Sequence, residues 1–252
     1  MIDAARARLE ALGDAGRAAE MAAYHKIPRR YLGVAVPQVE ELVAEWRAEL
    51  SVEERVALAG GLWATDVHEA MVAAAKLLTQ ARLRPDQAAW EMICGWVAGF
   101  QGWAVADHAT IAGQKRLVAE PARIADVAGW VASGNMWTRR AALVVTLPYA
   151  KMNFPKDQDL AIREQALGWA ADFVADRDWF IQKAVAWWVR DLSKHDAARA
   201  RAFLEGPGAG LKALRGKRRG DTFRRQSLGE PAGALPRTPG YFGRDEGAWR
   251  AR

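Results

Sequence analysis

The chain has 252 residues, 51% of them hydrophobic, and its 36 Lys and Arg outnumber its 30 Asp and Glu. That length supports one sizeable core, or a stack of helical repeats sharing one. A single cysteine, Cys94, excludes an internal disulfide, and the longest uncharged run, Met92 to Ala106, is 15 residues, short of the ~20 a membrane helix needs. The first residues lack a basic segment leading into an apolar stretch, the pattern of a secretion signal. The expectation is a soluble, cytoplasmic protein, with Cys94 an inert core thiol. The net charge of +6 is not spread evenly. Residues 215–252 hold ten basic and four acidic side chains, while residues 1–214 balance at 26 of each. A nucleic-acid surface on the body must therefore come from local clustering.

In chain order the signals are helical. Pro37 suits the first turn of a helix running through Val39, Leu42, Val43 and Trp46. Ser51 and Glu54 form a capping box before Val56-Ala57-Leu58. Thr65 and Asp66 are placed to cap a helix holding Val67, Met71, Ala74, Ala75 and Leu78. Pro85 opens another, and Asn135, Asp178 and Asp196 sit at further cap positions. Strand-like alternation is scarce. Val72-Ala73-Ala74-Ala75, Arg140-Ala141-Ala142-Leu143 and Lys183-Ala184-Val185-Ala186 look alike. The second and third lie 43 residues apart, a HEAT or armadillo spacing, and the first and second 68 apart, roughly two shorter units. Such units stack into a curved solenoid with a concave face. The expected organisation is a helical-repeat domain over 1–215 and a basic, irregular Gly/Pro/Arg-rich tail over 216–252, where six of the fourteen residues from Ser227 to Gly240 are Gly or Pro.

Four stretches carry a more specific pattern: Tyr31-Leu32-Gly33-Val34-Ala35-Val36-Pro37 preceded by Tyr24, Trp103-Ala104-Val105-Ala106-Asp107, Trp137-Thr138-Arg139-Arg140-Ala141-Ala142, and Phe180-Ile181-Gln182-Lys183-Ala184 followed by Trp187. In this order, over residues 15 to 205, they resemble the AlkD family of DNA alkylation repair proteins. The resemblance implies an all-α, right-handed superhelical solenoid of HEAT-like repeats with a concave DNA-binding face. It implies a monofunctional glycosylase that removes 3-methyladenine and 7-methylguanine from duplex DNA without a base-flipping pocket, metal or cofactor. The protein is expected to act as a monomer. One departure stands out: the family pattern has a hydroxyl residue inside Trp-x-x-x-Asp, where this chain has only Ala104, Val105 and Ala106.

The residues themselves suit that chemistry. Alkylation at purine N3 or N7 makes the base a cationic leaving group, so the demanding charge is the oxocarbenium that develops on the sugar. One carboxylate can stabilise it and hold the attacking water, and indole faces add ~0.5–2 kcal/mol each. Trp103 and Asp107, four apart, share a helix face. Asp107 is the catalytic candidate, with Trp103 and Trp187 as cation-stabilising walls. Trp at helical spacing is more often core, however, and spacing alone leaves open whether Trp187 or Trp188 faces the groove; the family register chooses Trp187. Arg139, Arg140, Lys183, Arg190 and Lys194 are candidates for a stripe contacting DNA phosphates, with Tyr24 at the N-terminal end of the cleft. The four histidines form no metal-ligand cluster, and neither a phosphate-binding loop nor a nucleophile elbow occurs. The alternative readings are a non-catalytic HEAT-repeat protein that binds damaged or branched DNA, and a protein-binding scaffold.

Overall fold

Helix starts follow the local chemistry closely. The computed structural model describes residues 1–211, so the tail expected over 216–252 lies outside the described residues, as do the last positions of the unit expected over 1–215. Helix α1 spans Ile2–Ala11 and α2 spans Ala15–His25, the latter capped by Asp14, which accepts from the Arg17 N–H at 2.8 Å. Pro37 lies in the first turn of α3, Val36–Glu49. Helix α4, Val52–Ala64, opens on the expected capping box: Ser51 Oγ accepts from the Glu54 N–H at 3.2 Å, and the Glu54 carboxylate accepts from the Ser51 N–H at 2.8 Å.

Three expected caps differ. Thr65 ends α4 instead of starting the next helix, its hydroxyl donating to the Leu62 carbonyl at 2.7 Å. Asp66 is left-handed (φ 52°), and α5, His68–Leu77, begins after it with Val67 at the cap position. The competing demand is long-range: the His68 N–H donates to Arg30 O at 3.0 Å, joining this turn to the segment before α3. Pro85 precedes α6, Gln87–Val97, by two residues, and Asp86 at its cap position spends its carboxylate on Arg116 and Arg123. Asp178 likewise pairs with Arg139 at 3.1 Å instead of capping.

The remaining helices are α7, Trp103–Ala119; α8, Ile124–Val131; α9, Met136–Val145; α10, Leu147–Ala150; α11, Asp157–Asp172; α12, Trp179–Ser193; and α13, Ala197–Glu205. Asn135 and Asp196 cap α9 and α13 as expected. Among the described residues the fold is all-α, with no strand. Helices α3, α5, α7, α9 and α12 pack in succession, each against the next, while α4 backs α5, α6 backs α7 and α8 backs α9. This is a stack of helical pairs, the HEAT-like solenoid arrangement. The three look-alike segments fall on α5, α9 and α12. The double spacing between the first two is explained by α7, which is the inner helix of the unit between them.

Small residues allow the inner helices to close up: Ala73, Ala74, Ala75 and Ala142 are fully buried. Trp90 and Trp188 fill the layers, and each has its indole N–H satisfied, by Asp126 at 2.8 Å and by the Thr146 hydroxyl at 3.1 Å. Burying a large side chain of this kind stabilises by about 2 kcal/mol. Cys94 is half-buried, and burial pushes its thiol up to about 12, so it stays protonated and unreactive at neutral pH. No helix among the described residues is long and apolar enough to cross a membrane.

Candidate active-site cleft

Trp103 and Asp107 occupy the first turns of α7. The start of this helix is fixed by the next repeat: the Asn135 side-chain amide donates to the carbonyls of Ala98 and Phe100 at 3.2 and 3.0 Å. Trp103 is half-buried, with its ring edge-on to Tyr24 (centroids 6.2 Å apart) and tilted to His25 (5.6 Å). Tyr24 itself is 66% exposed.

Asp107 is 6% exposed and meets Arg140, which rises from α9. The guanidinium forks onto the carboxylate, Nε to Oδ1 at 3.1 Å and Nη2 to Oδ2 at 2.9 Å, and its third arm donates to Phe180 O at 2.9 Å. One arginine thus ties three successive inner helices, α7, α9 and α12, together at the acid. Burial raises the Asp107 pKa above the usual carboxylate value, opposed first by the charge and hydrogen bonds of Arg140 and then by Lys183. A bidentate pair of this kind favours the ionised acid. Each carboxylate oxygen still has a lone pair available beyond the one used by Arg140.

The sequence placed Arg140 on a phosphate-binding stripe. In the structure it is 5% exposed, with its donors committed to Asp107 and Phe180 O. Arg139 also departs from that stripe. It donates to Ser133 O at 3.0 Å and pairs with Asp176 and Asp178 at 3.0 and 3.1 Å, tying α9 to the turn before α12. Two acids within reach outcompete solvent for this guanidinium.

Helix α12 supplies the opposite wall. Trp188 faces the core with no exposed surface, and Trp187 is half-buried on the cleft side. The Trp187 indole N–H donates to Asp191 at 2.9 Å. Lys183 is exposed and lies over the Phe180 ring at 5.8 Å. Arg190 and Lys194 flank Asp191 at 3.7 and 3.1 Å.

Together these residues line one cleft of about 730 Å³. Asp107, Trp103, Trp187, Tyr24, Arg140, Lys183, Arg190 and Lys194 all reach it, and Arg139 does not. Five further lining residues were missed by sequence reasoning: Lys151, Trp179, Phe180, Ala186 and Asp191. Asp191 is the most informative of them. It is 3% exposed and gathers Lys151, Lys194 and Arg190 around it as well as the indole; burial works against its charge, but these cations prevail and hold it below the usual carboxylate range. The available signal was its spacing, because Trp187 and Asp191 repeat the Trp-x-x-x-Asp pattern of Trp103 and Asp107. Five cations and two acids line the cleft, the local clustering that the evenly balanced body required.

The N-terminal signature has a structural role beside this cleft. Gly33 has φ 77°, and a Cβ there would lie 2.1 Å from Asp14 O, so only glycine fits. The backbone N–H groups of Leu32 and Gly33 donate to buried Glu69 on α5 at 2.9 and 2.8 Å. This turn fixes the path from α2 into α3 and holds Tyr24 near Trp103.

An all-helical solenoid with an acid, several indoles and a cationic rim on its stacked inner helices defines a repeat protein built around a charged cleft. The family model described as DNA alkylation repair enzyme matches residues 5–223, and the chain belongs to that family. Among solved structures the chain is similar to a protein described as a predicted DNA alkylation repair enzyme from Enterococcus faecalis. The identity is 18% and the TM-score 0.64, covering 82% of this chain and 98% of that one. It is also similar to AlkD2 from Streptococcus mutans, at 20% identity and TM-score 0.53, covering 72% of this chain and 83% of that one. At these identities the likeness is one of fold. Comparison with curated proteins returned no match.

Proposed function

We propose that the chain is a monofunctional DNA glycosylase that hydrolyses the N-glycosidic bond of cationic alkylated purines, 3-methyladenine and 7-methylguanine among them, in duplex DNA. The observation that carries this reading is the meeting of Asp107, Trp103 and Trp187 in one cleft edged by exposed cations. Lys183, Arg190, Lys194 and Lys151 neutralise backbone phosphates beside the lesion. The cationic base departs with the bonding electrons and becomes neutral, leaving positive charge on the sugar. Asp107, ionised and oriented by Arg140, faces that charge, and the Trp103 and Trp187 rings add their quadrupoles. Water then attacks the anomeric carbon and its proton passes to the carboxylate or to solvent. The chemistry asks little of a general acid, because the leaving group is already charged.

A second reading is favoured by one observation. The same fork that orients Asp107 also shields it, which suits a protein that binds damaged or branched DNA without cutting the glycosidic bond. Single-turnover incubation with methylated duplex separates the two. The glycosylase releases free methylated purine, and Asp107→Asn slows release by about 100-fold or more while duplex affinity holds. Salt-sensitive duplex binding with no base release by the wild type would establish the second reading.

A further inference from the structure

Behind Trp103 and Asp107 lies a second cavity, of about 270 Å³, between α2, α3, α5 and α7. Trp103 and Asp107 line both this cavity and the DNA-side cleft, so they stand as a common wall. Its size falls just below the ~300–1,000 Å³ of pockets that take drug-sized ligands, which suits one small ring system and not a nucleotide. Much of the lining is apolar, including Met21, Val36, Val72 and Ile111, and three rings face it: Trp103, His68 and His108.

His68 is 5% exposed, and its Nδ1 is sealed from water with no hydrogen-bond partner. A buried polar nitrogen left unpaired is unfavourable, but Nδ1 is closed even to water, so the nitrogen that His68 offers to the cavity is Nε2, which is not sealed. Its ring is already fixed, packed on both His25 (centroids 4.8 Å) and Tyr31 (5.0 Å), which also stack on each other at 5.8 Å. Burial lowers both His68 and His108 to about 3, so at neutral pH each imidazole offers one donor and one acceptor without charge. The acids on the lining are already engaged: Glu69 by the Leu32 and Gly33 N–H groups, Glu40 by Lys76, and Asp107 by Arg140. One cation also lines the space, Arg17, which is exposed and donates to Gly33 O at 2.9 Å; what remains is an apolar, ring-lined space with neutral donor–acceptor groups, the chemistry that recognises a flat, uncharged nitrogen heterocycle.

We infer that this cavity binds a free alkylated purine base. The choice of ligand rests on the glycosylase reading, in which the base leaves the DNA neutral on the far side of Trp103. The cavity receives the base after cleavage, so a base-flipping pocket is not implied for the intact nucleotide. Occupancy blocks the wall residues from the next lesion, and the free base is therefore a product inhibitor.

The test is isothermal titration of the full chain, without DNA, with free 7-methylguanine and free 3-methyladenine, and with 7-methylguanosine as the oversized control. The wild type binds the bases and not the nucleoside. His68→Phe, which keeps the ring and removes its nitrogens, weakens binding about tenfold or more. Ile111→Phe, which fills the cavity one helical turn beyond Asp107 on α7, abolishes binding and relieves inhibition by added base. Thermal melting selects whichever variant folds. The inference is overturned if the wild type binds neither base at millimolar concentration, or if the folded variant binds as the wild type does. Base release from DNA, measured beside the titration, tests the parent reading separately. A chain that excises but does not bind free base loses only this cavity assignment, and one that binds base but excises nothing loses only the glycosylase reading.

Discussion

Helix α7 carries an arginine–aspartate contact near each end, and the two have opposite surroundings. At the C-terminal end Arg116 has no exposed surface, and it donates to the carbonyls of Leu83, Ala81 and Gln80 and to Asp86. Arg123 grips the same carboxylate at 2.8 and 3.0 Å. That cluster fastens the connection between α5 and α6 and lines neither the cleft nor the cavity described above. Nine residues earlier, about 13 Å along the axis, Asp107 and Arg140 form an equally tight fork, but theirs is set in the floor of a cleft ringed by indoles and exposed cations. The acid at one end is held low by its arginines, and the acid at the other is pushed up by burial. Ion-pair geometry alone therefore does not distinguish a structural clamp from a reactive group; what else lines the space does.

The largest expected effect is at the structural end. Asp86→Asn leaves two largely buried guanidiniums short of their counter-charge and lowers stability by about 3 kcal/mol, read by urea unfolding, while the excision rate per folded molecule is unchanged. At the cleft end, Trp187→Ala or Trp103→Ala slows single-turnover release about tenfold through loss of one cation-stabilising face, with little change in duplex affinity.

Acid separates the two ends as well. The folded pKa of Asp86 is depressed, first by its hydrogen bond from Arg123, so its stabilisation is complete above the unfolded value of about 3.9 and disappears as pH falls through the lower folded value. Asp107 has the opposite sign. Its folded pKa is raised, so protonation does not cost the fold stability, and it appears in the rate instead. The acid limb of single-turnover release should lie above the ordinary carboxylate value. Arg140→Gln, which removes the strongest force lowering that pKa, should move the limb to still higher pH. The smallest effect is on the rim: Lys183→Ala reduces the slope of log affinity against log salt by about 1, and leaves the α7 contacts as they are.

The sequence carried the helices and much of the cleft wherever the information was local. Ser51 with Glu54, and Asn135 and Asp196, act as caps because their partners are two or three residues away. Trp103 and Asp107 meet the same cleft because one helical turn separates them. Legibility ended where a side chain had a distant choice of partner. Asp86 and Asp178 stand at cap positions but serve arginines in other repeats, Arg123 and Arg139. Arg140 read as a phosphate contact because nothing in its neighbourhood announces an acid 33 residues earlier. Asp191 was passed over although its spacing from Trp187 copies the Trp103–Asp107 pair. His68 gave no sign at all, since its lack of a partner exists only once α2, α3 and α5 have closed around it.

The most direct test sets Asp107→Asn beside Asp86→Asn, with melting temperature and single-turnover release of 7-methylguanine measured on both. The expected result is a crossing: Asp107→Asn melts near the wild type and loses about two orders of magnitude in release, while Asp86→Asn melts well below it and releases base at the normal rate once folded. If Asp107→Asn instead melts low and the surviving folded fraction still releases base at full rate, the acid in the cleft is another clamp, and the chemistry assigned to it is wrong.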